Sequence, residues 1–194
     1  EAYVSTLHCP YTDPLALQAI EMVLAYLPAS YNKNMAAREQ MHYAQCLAGM
    51  AFSNAGLGIN HSMAHTLGGH FHIPHGRANA LLLPYVMAYN CGCRTSLTPA
   101  AERYAKMSTV LSLDSGSSRQ SAFGAIRATK QLIRKLNIPS CIKNLGIPEN
   151  EFVAALDEMV DAAMADSCTA TNPRVPTREE LKELFMEAYR GREI

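Results

Sequence analysis

From Leu15 onward, apolar residues recur at intervals of three and four, and the strict alternation of a half-buried strand is almost absent. That periodicity leaves one way to bury apolar surface, helix packed on helix. With 194 residues the chain suits one domain with a sizeable core. Local signals punctuate the pattern. Asp13-Pro14 opens a helix running from Leu15 to Leu27, with Asp13 as its cap, Leu17, Ile20, Val23, Leu24 and Leu27 inward, and Pro28 near its end. A longer helix is expected from Met35 to Asn54, carrying Met41, Cys46, Leu47, Met50 and Phe52. The run Ala78 to Tyr89 is apolar nearly all round (Leu81, Leu82, Leu83, Val86, Met87), which predicts a buried central helix kinked at Pro84. Thr98-Pro99 starts a helix reaching Leu111, Asp114 to Ser118 is a loop, and a helix with a basic outer face follows from Arg119 to Leu136. Pro148 opens another through Met164, Asp166 to Pro176 is irregular, and Thr177 with Glu180 forms a capping box for a last helix to Tyr189. The expected fold class is all-α, a bundle of seven to eight helices over residues 1–194.

Seventeen basic and seventeen acidic residues cancel, and no basic stripe suggests nucleic acid. No apolar run reaches the roughly 18 residues of a membrane span, and the first residues do not read as a secretory signal. The six cysteines, at 9, 46, 91, 93, 141 and 168, contain no CxxC and no disulfide spacing. They are expected to be reduced and mostly buried in a cytoplasmic protein. No strand-glycine-helix unit offers a nucleotide-phosphate cradle. Glu1 to Ser5 reads as the tail of a helix whose beginning is missing, so the chain reads as a fragment.

Five of the seven histidines fall between Gly56 and Gly76. His61 and His65, four apart, share one helix face. Gly68-Gly69 is expected to end that helix, and His75 returns at the start of the next apolar run. Two helix-borne imidazoles and a third on a returning segment are the ingredients of a transition-metal site. A helix N-terminus disfavours a cationic ring, so His75 is expected neutral, the metal-binding form. A metalloprotease helix would need Glu beside the first His, where Ser62 and Met63 stand. A hydrolase built on the same histidines lacks an evident general base, unless an acidic residue faces His61. Asn79 is expected to hydrogen-bond within the domain rather than face the site. His70 and His72 are assigned to the loop, and His8 and His42 have no assigned role.

The stretch His61-Ser-Met-Ala-His65-Thr-Leu-Gly-Gly, then Ile73-Pro-His75-Gly76, Asn79-Ala-Leu-Leu-Leu-Pro84 and Asn90, resembles the signature of the iron-containing (group III) alcohol dehydrogenases. Glu1-Ala-Tyr-Val-Ser5 and Asn172-Pro-Arg174-Val-Pro-Thr177 match that family as well, and the resemblance covers essentially the whole chain. It implies the dehydroquinate synthase-like helical domain, the C-terminal, metal-binding half of an enzyme whose N-terminal domain binds NAD or NADP. It implies that His61 and His75 are two metal ligands, with Fe(II), zinc or another divalent ion bound, and that the remaining Asp and His ligands precede Glu1. His65, which spacing alone would make a ligand, becomes by resemblance a catalytic, proton-handling residue. Phe52 and Cys168 match substrate-pocket positions, with core packing as their other reading. Residues contacting the nicotinamide cofactor cannot be named. The implied reaction is reversible hydride transfer between an alcohol or aldehyde and the cofactor. The intact protein is expected to be a homo-oligomer and the present chain inactive alone. The alternative is a non-catalytic helical domain that binds metal or mediates assembly.

Overall fold

The computed structural model describes residues 1–93, 95–112 and 116–191. Among these there are eight α-helices and no strand: α1 (Thr12–Tyr31), α2 (Met35–Ala55), α3 (Ile59–Phe71), α4 (His75–Cys91), α5 (Pro99–Val110), α6 (Ser118–Lys135), α7 (Glu149–Ala165) and α8 (Arg178–Arg190). Short 3-10 turns span Ile142–Leu145 and Ser167–Thr171, the second inside the segment expected to be irregular. Of the loop expected at Asp114 to Ser118, Asp114 and Ser115 lie outside the described residues, and Ser118 already opens α6.

Helix α4 is the axis of the molecule. One of its faces joins α3, α7 and α8 in a core containing Ile59, Met63, Leu67, Leu81, Leu82, Phe152, Leu156, Leu181, Phe185 and Tyr189. The other packs Met87, Ala88 and Cys91 against Tyr3, Ala51, Tyr104, Met107 and Ile126. A helix with apolar partners on two sides must be apolar nearly all round, which is how its sequence reads. Pro84 sits within it, buried. The Phe152 and Tyr189 rings stack at 4.5 Å, and the Tyr189 hydroxyl donates to the Ile147 carbonyl at 2.8 Å, so the polar end of a buried ring is satisfied.

Several boundaries differ from expectation. Helix α1 begins at Thr12 behind Tyr11, so Asp13 lies inside the first turn and caps nothing; its carboxylate instead pairs with Arg103 at 2.7 Å. The inward stripe of α1 is only half-buried, and the apolar residues of the helix that are fully buried are Ala16 and Ala19. On α2 only Met41 of the expected stripe is buried, while Cys46, Met50 and Phe52 are exposed. Gly68-Gly69 does not end α3. The helix runs on to Phe71, and His72 takes the left-handed conformation (φ 55°) that closes it. The use of Gly68 is packing: a Cβ there would stand 3.0 Å from the Ile73 carbonyl, so its absence lets the returning chain cross close by. His70 accordingly belongs to the last turn of α3 rather than the loop. The capping box at Thr177 and Glu180 is present. All six cysteines are free, though only Cys91 and Cys141 are fully buried.

Glu1 to Ser5 forms a single helical turn, with the Ser5 N–H donating to the Glu1 carbonyl at 2.9 Å. It is locked from several directions. Ser5 Oγ donates to the Ala55 carbonyl at 2.5 Å. Arg103 donates to the Tyr3 carbonyl at 2.6 Å and lies over the Tyr3 ring at 4.1 Å.

Candidate metal centre

The turn that ends α2 and starts α3 is shaped by close approach. Gly58 precedes α3, and a Cβ on it would meet Asn172 Oδ1 at 2.6 Å and Glu1 Oε1 at 2.8 Å. Those side chains occupy that space because the first N–H groups of a helix have no partner within it. Ile59 N–H donates to Asn172 Oδ1 (3.2 Å), and Asn60 and His61 N–H donate to Glu1 Oε1 (3.0 and 3.3 Å). Asn172 is itself fixed by Asn90 on α4, to whose side-chain oxygen it donates at 2.8 Å. Arg174 donates to the Tyr89 carbonyl at 3.1 Å, pairs with Glu180 at 2.5 Å and covers the Tyr89 ring at 4.0 Å, so this segment clamps α8 to α4.

On this frame three imidazoles converge. Ring centroids lie 5.3 Å apart for His61 and His75, 5.4 Å for His65 and His75, and 5.9 Å for His61 and His65. With metal–nitrogen bonds of roughly 2.1 Å and tetrahedral angles, two imidazoles on one cation have centroids about 5 Å apart. His61 and His75 therefore fit as two ligands of a single ion. Two of the rings are held from behind. Glu1 Oε2 hydrogen-bonds His61 Nδ1, and Asp166 Oδ2 lies 2.7 Å from His65 Nδ1. A carboxylate on Nδ1 fixes the ring and leaves Nε2 as its free nitrogen, the usual arrangement behind metal-binding and catalytic histidines.

His75 is held differently. Asn60 Nδ2 donates to Asn79 Oδ1 at 2.8 Å, which turns the Asn79 amide nitrogen toward His75, 3.1 Å from its carbonyl and 3.2 Å from its Nε2. Asn79 thus both bonds within the domain, as expected, and touches the site, which was not. An N–H aimed at Nε2 requires the neutral ring. Burial, then the proximity of His61 and His65, also hold the His75 pKa below its ordinary value of 6.5. His75 is the first residue of α4, as its position in sequence implies.

The two carboxylates are anions. Burial works to raise Glu1, but hydrogen bonds from the His61 side chain and N–H, with the charge of His61, hold its pKa below the ordinary 4.5. Burial also works upward on Asp166, and hydrogen bonds from His65 and the Cys168 N–H hold it below 3.8. Burial and the adjacent Asp166 carboxylate push the Cys168 thiol up to about 11. Glu1 does face His61, the condition on which a hydrolase reading depended. Its side chain is only 8 % exposed and committed to three N–H groups or ring nitrogens, so it has no free face from which to activate water.

Phe52, 41 % exposed, lines a cavity of about 410 Å³ between α1, α2, α4, α5 and α6, together with Leu57, Leu83, Val86 and His61. Cys168 is not part of that wall and stands instead beside His65 and Asp166. His70 contacts Phe71, and His8 lies 3.5 Å from Asp13, away from the convergence. Sequence reasoning missed Asp166 and the second role of Glu1. Both reach their histidines across 101 and 60 residues of chain, a separation at which no periodicity carries information.

The family profile described as Fe-containing alcohol dehydrogenase family, C-terminal, matches residues 1–189. The chain is 51 % identical over 194 residues to an NADPH-dependent butanol dehydrogenase of Clostridium saccharobutylicum, covering 100 % of this chain and 48 % of that protein. It is 41 % identical over 207 residues to the bifunctional aldehyde-alcohol dehydrogenase AdhE of Escherichia coli (strain K12), again over 100 % of this chain but 23 % of that protein. Among solved structures, an iron-containing alcohol dehydrogenase from Thermococcus thioreducens superposes with a TM-score of 0.88 at 37 % identity, over 99 % of this chain and 47 % of that one. A 1,3-propanediol oxidoreductase gives 0.87 at 37 % identity, over 97 % and 48 %. The chain thus spans about half the length of the single-function dehydrogenases it matches.

Proposed function

Because the chain belongs to the Fe-containing alcohol dehydrogenase family, as its C-terminal part, we propose that residues 1–194 are the metal-carrying half of an enzyme that interconverts alcohols and aldehydes with NAD or NADP. The observation that carries this reading is the 5.3 Å approach of the His61 and His75 rings, with Glu1 fixing His61 from behind. His61 and His75 would hold a divalent cation, Fe(II) by family and zinc as a competitor at any such nitrogen site. When bound, that ion supplies Lewis acidity that lowers the pKa of an alcohol hydroxyl, so that hydride loss to the nicotinamide proceeds near neutral pH.

The chain's own residues do the rest. Asp166 holds the Nδ1–H of His65, which leaves His65 Nε2 able to accept the hydroxyl proton and pass it to solvent from an exposed position. Phe52, Leu57 and Leu83 give the cavity beside His61 an apolar wall suited to an alkyl chain. Cys168, beside His65, bounds the reacting end. By the family resemblance the nucleotide-binding domain would lie outside residues 1–194, so this chain alone is expected to give no turnover. The intact protein is proposed to be a cytoplasmic homo-oligomer. Among the described residues, no helix is long and apolar enough to cross a membrane.

The test is aldehyde reduction by the intact protein after iron reconstitution, followed by NADH or NADPH absorbance. His61→Ala and His75→Ala should each abolish turnover and lower bound metal. Full activity in either variant would overturn the reading. The alternative, a non-catalytic metal-binding or assembly domain, would show metal bound and no turnover in the intact wild type.

A further inference from the structure

We infer a second metal site, beside the first and independent of it, in which His65 Nδ1, an Asp166 carboxylate oxygen and Cys168 Sγ bind a borderline divalent cation such as zinc or cobalt. The ligand atoms of these three residues all lie within 4.8 Å of one another. One nitrogen, one oxygen and one sulfur are a donor set that Zn²⁺ and Co²⁺ accept readily and that Mg²⁺ and Ca²⁺ do not. Neither His61 nor His75 belongs to it, so the site goes beyond the proposed function.

The three groups are already gathered around one anion. Asp166 Oδ2 takes the His65 Nδ1–H at 2.7 Å, and Asp166 Oδ1 takes the Cys168 N–H at 2.8 Å. A tetrahedral cation needs its nitrogen and oxygen ligands about 3.4 Å apart, so the His65–Asp166 pair must open by less than 1 Å. His65, with its side chain 42 % exposed, can turn by that much. Binding releases one proton to solvent, from the thiol, while the His65 ring proton shifts from Nδ1 to Nε2 and the cation takes the vacated Nδ1 and the thiolate.

The backbone carrying the ligands does not have to be ordered on binding. Thr169, next to Cys168, hydrogen-bonds Ser62 Oγ at 2.8 Å and the Ala163 carbonyl at 2.7 Å, both interactions buried. Ser62 is three residues before His65 on α3, so the 3-10 turn and the helix are pinned together at that spacing. Exposure of His65 provides an entry path and leaves a fourth position for water.

Occupancy has a consequence for His65. A cation on Nδ1 forces the ring proton onto Nε2, which then cannot accept a proton from the reacting centre. The site is therefore inhibitory, and zinc at this position would slow a protein whose first site still held iron.

The experiment is a cobalt titration of the intact, metal-free protein. The first site offers no sulfur, so a near-ultraviolet thiolate-to-cobalt charge-transfer band reports the second site alone. One equivalent of band is expected. It should vanish in Cys168→Ser, require at least about 10-fold more cobalt in Asp166→Asn, and persist in His75→Ala, which abolishes turnover. X-ray absorption at the zinc edge needs no variant. With two equivalents of zinc bound, one of the two ions should carry a single sulfur neighbour. Absence of the band and of sulfur around zinc in the wild type overturns the inference, as does a band undiminished in Cys168→Ser. Loss of turnover in His75→Ala with the band intact separates the two sites, so either reading can fail without the other.

Discussion

Asp166 Oδ2 stands 2.7 Å from His65 Nδ1, bringing the start of a 3-10 turn against the middle of α3. The bond sets the tautomer of the one converging histidine that is not a proposed ligand of the first ion. Asp166→Asn keeps the shape but presents an amide in place of the anion. Steady-state kinetics of the intact enzyme should show kcat reduced by about 10- to 100-fold, with thermal stability little changed. An unchanged kcat would mean that His65 needs no orienting partner.

Glu1 serves both the helix and the ring, since its carboxylate accepts from Asn60 and His61 N–H and holds His61 Nδ1. Glu1→Gln in the intact protein should weaken metal binding about 10- to 100-fold in a competition titration with a chromophoric chelator. Glu1→Ala should also lower the melting temperature, because two partly buried N–H groups at the start of α3 lose their acceptor.

Gly58 owes its identity to space, not to backbone strain, for its φ of −156° is open to any residue. Gly58→Ala places a methyl 2.6 Å from Asn172 Oδ1 and 2.8 Å from Glu1 Oε1. Displacing both should cost about 1–3 kcal/mol in denaturant unfolding. The same variant should bind metal more weakly, because Glu1 moves with it.

Glu180 closes the capping box of α8. The Thr177 N–H, then Tyr89 and Arg174, hold its pKa below the ordinary 4.5 against the opposing effect of burial. A carboxylate depressed in the folded state contributes stability that is complete above its unfolded pKa and lost as pH falls through the folded value. Acid unfolding should therefore steepen below about pH 4.5 in the wild type. Glu180→Gln should flatten that part of the profile, measured by urea unfolding across pH.

Leu67 is fully buried on α3, directly behind the histidine face. Leu67→Ala should destabilise by about 2–5 kcal/mol through lost burial and the cavity left behind. Metal affinity of the folded fraction should be retained, which separates a packing residue from the proposed ligand His61, nearly two turns earlier on the same helix.

Local pattern was enough for the helices. The three- and four-residue spacing on α4, the capping box at Thr177 and the pair His61 and His65 are all properties of contiguous chain. Local physics decides them: side chains one turn apart meet whatever the rest of the protein does. It decided less well where a local preference met a packing demand. Glycines favour helix ends, yet Gly68 and Gly69 both stay inside α3, and at Gly68 the returning Ile73 carbonyl uses the space a Cβ would fill. Asp13 has the chemistry of a cap and is drawn instead to Arg103.

What the sequence determined by itself was the all-helical class, the family and the histidine cluster from which the proposed ligands His61 and His75 are drawn, since each is written in residues close together along the chain. What only the tertiary structure decided was which groups stand behind those rings. Glu1, Asp166 and Asn172 approach α3 from the first turn and from more than 100 residues further along. A hydrogen bond is formed between groups that are near in space, and chain separation sets no limit on which two those are.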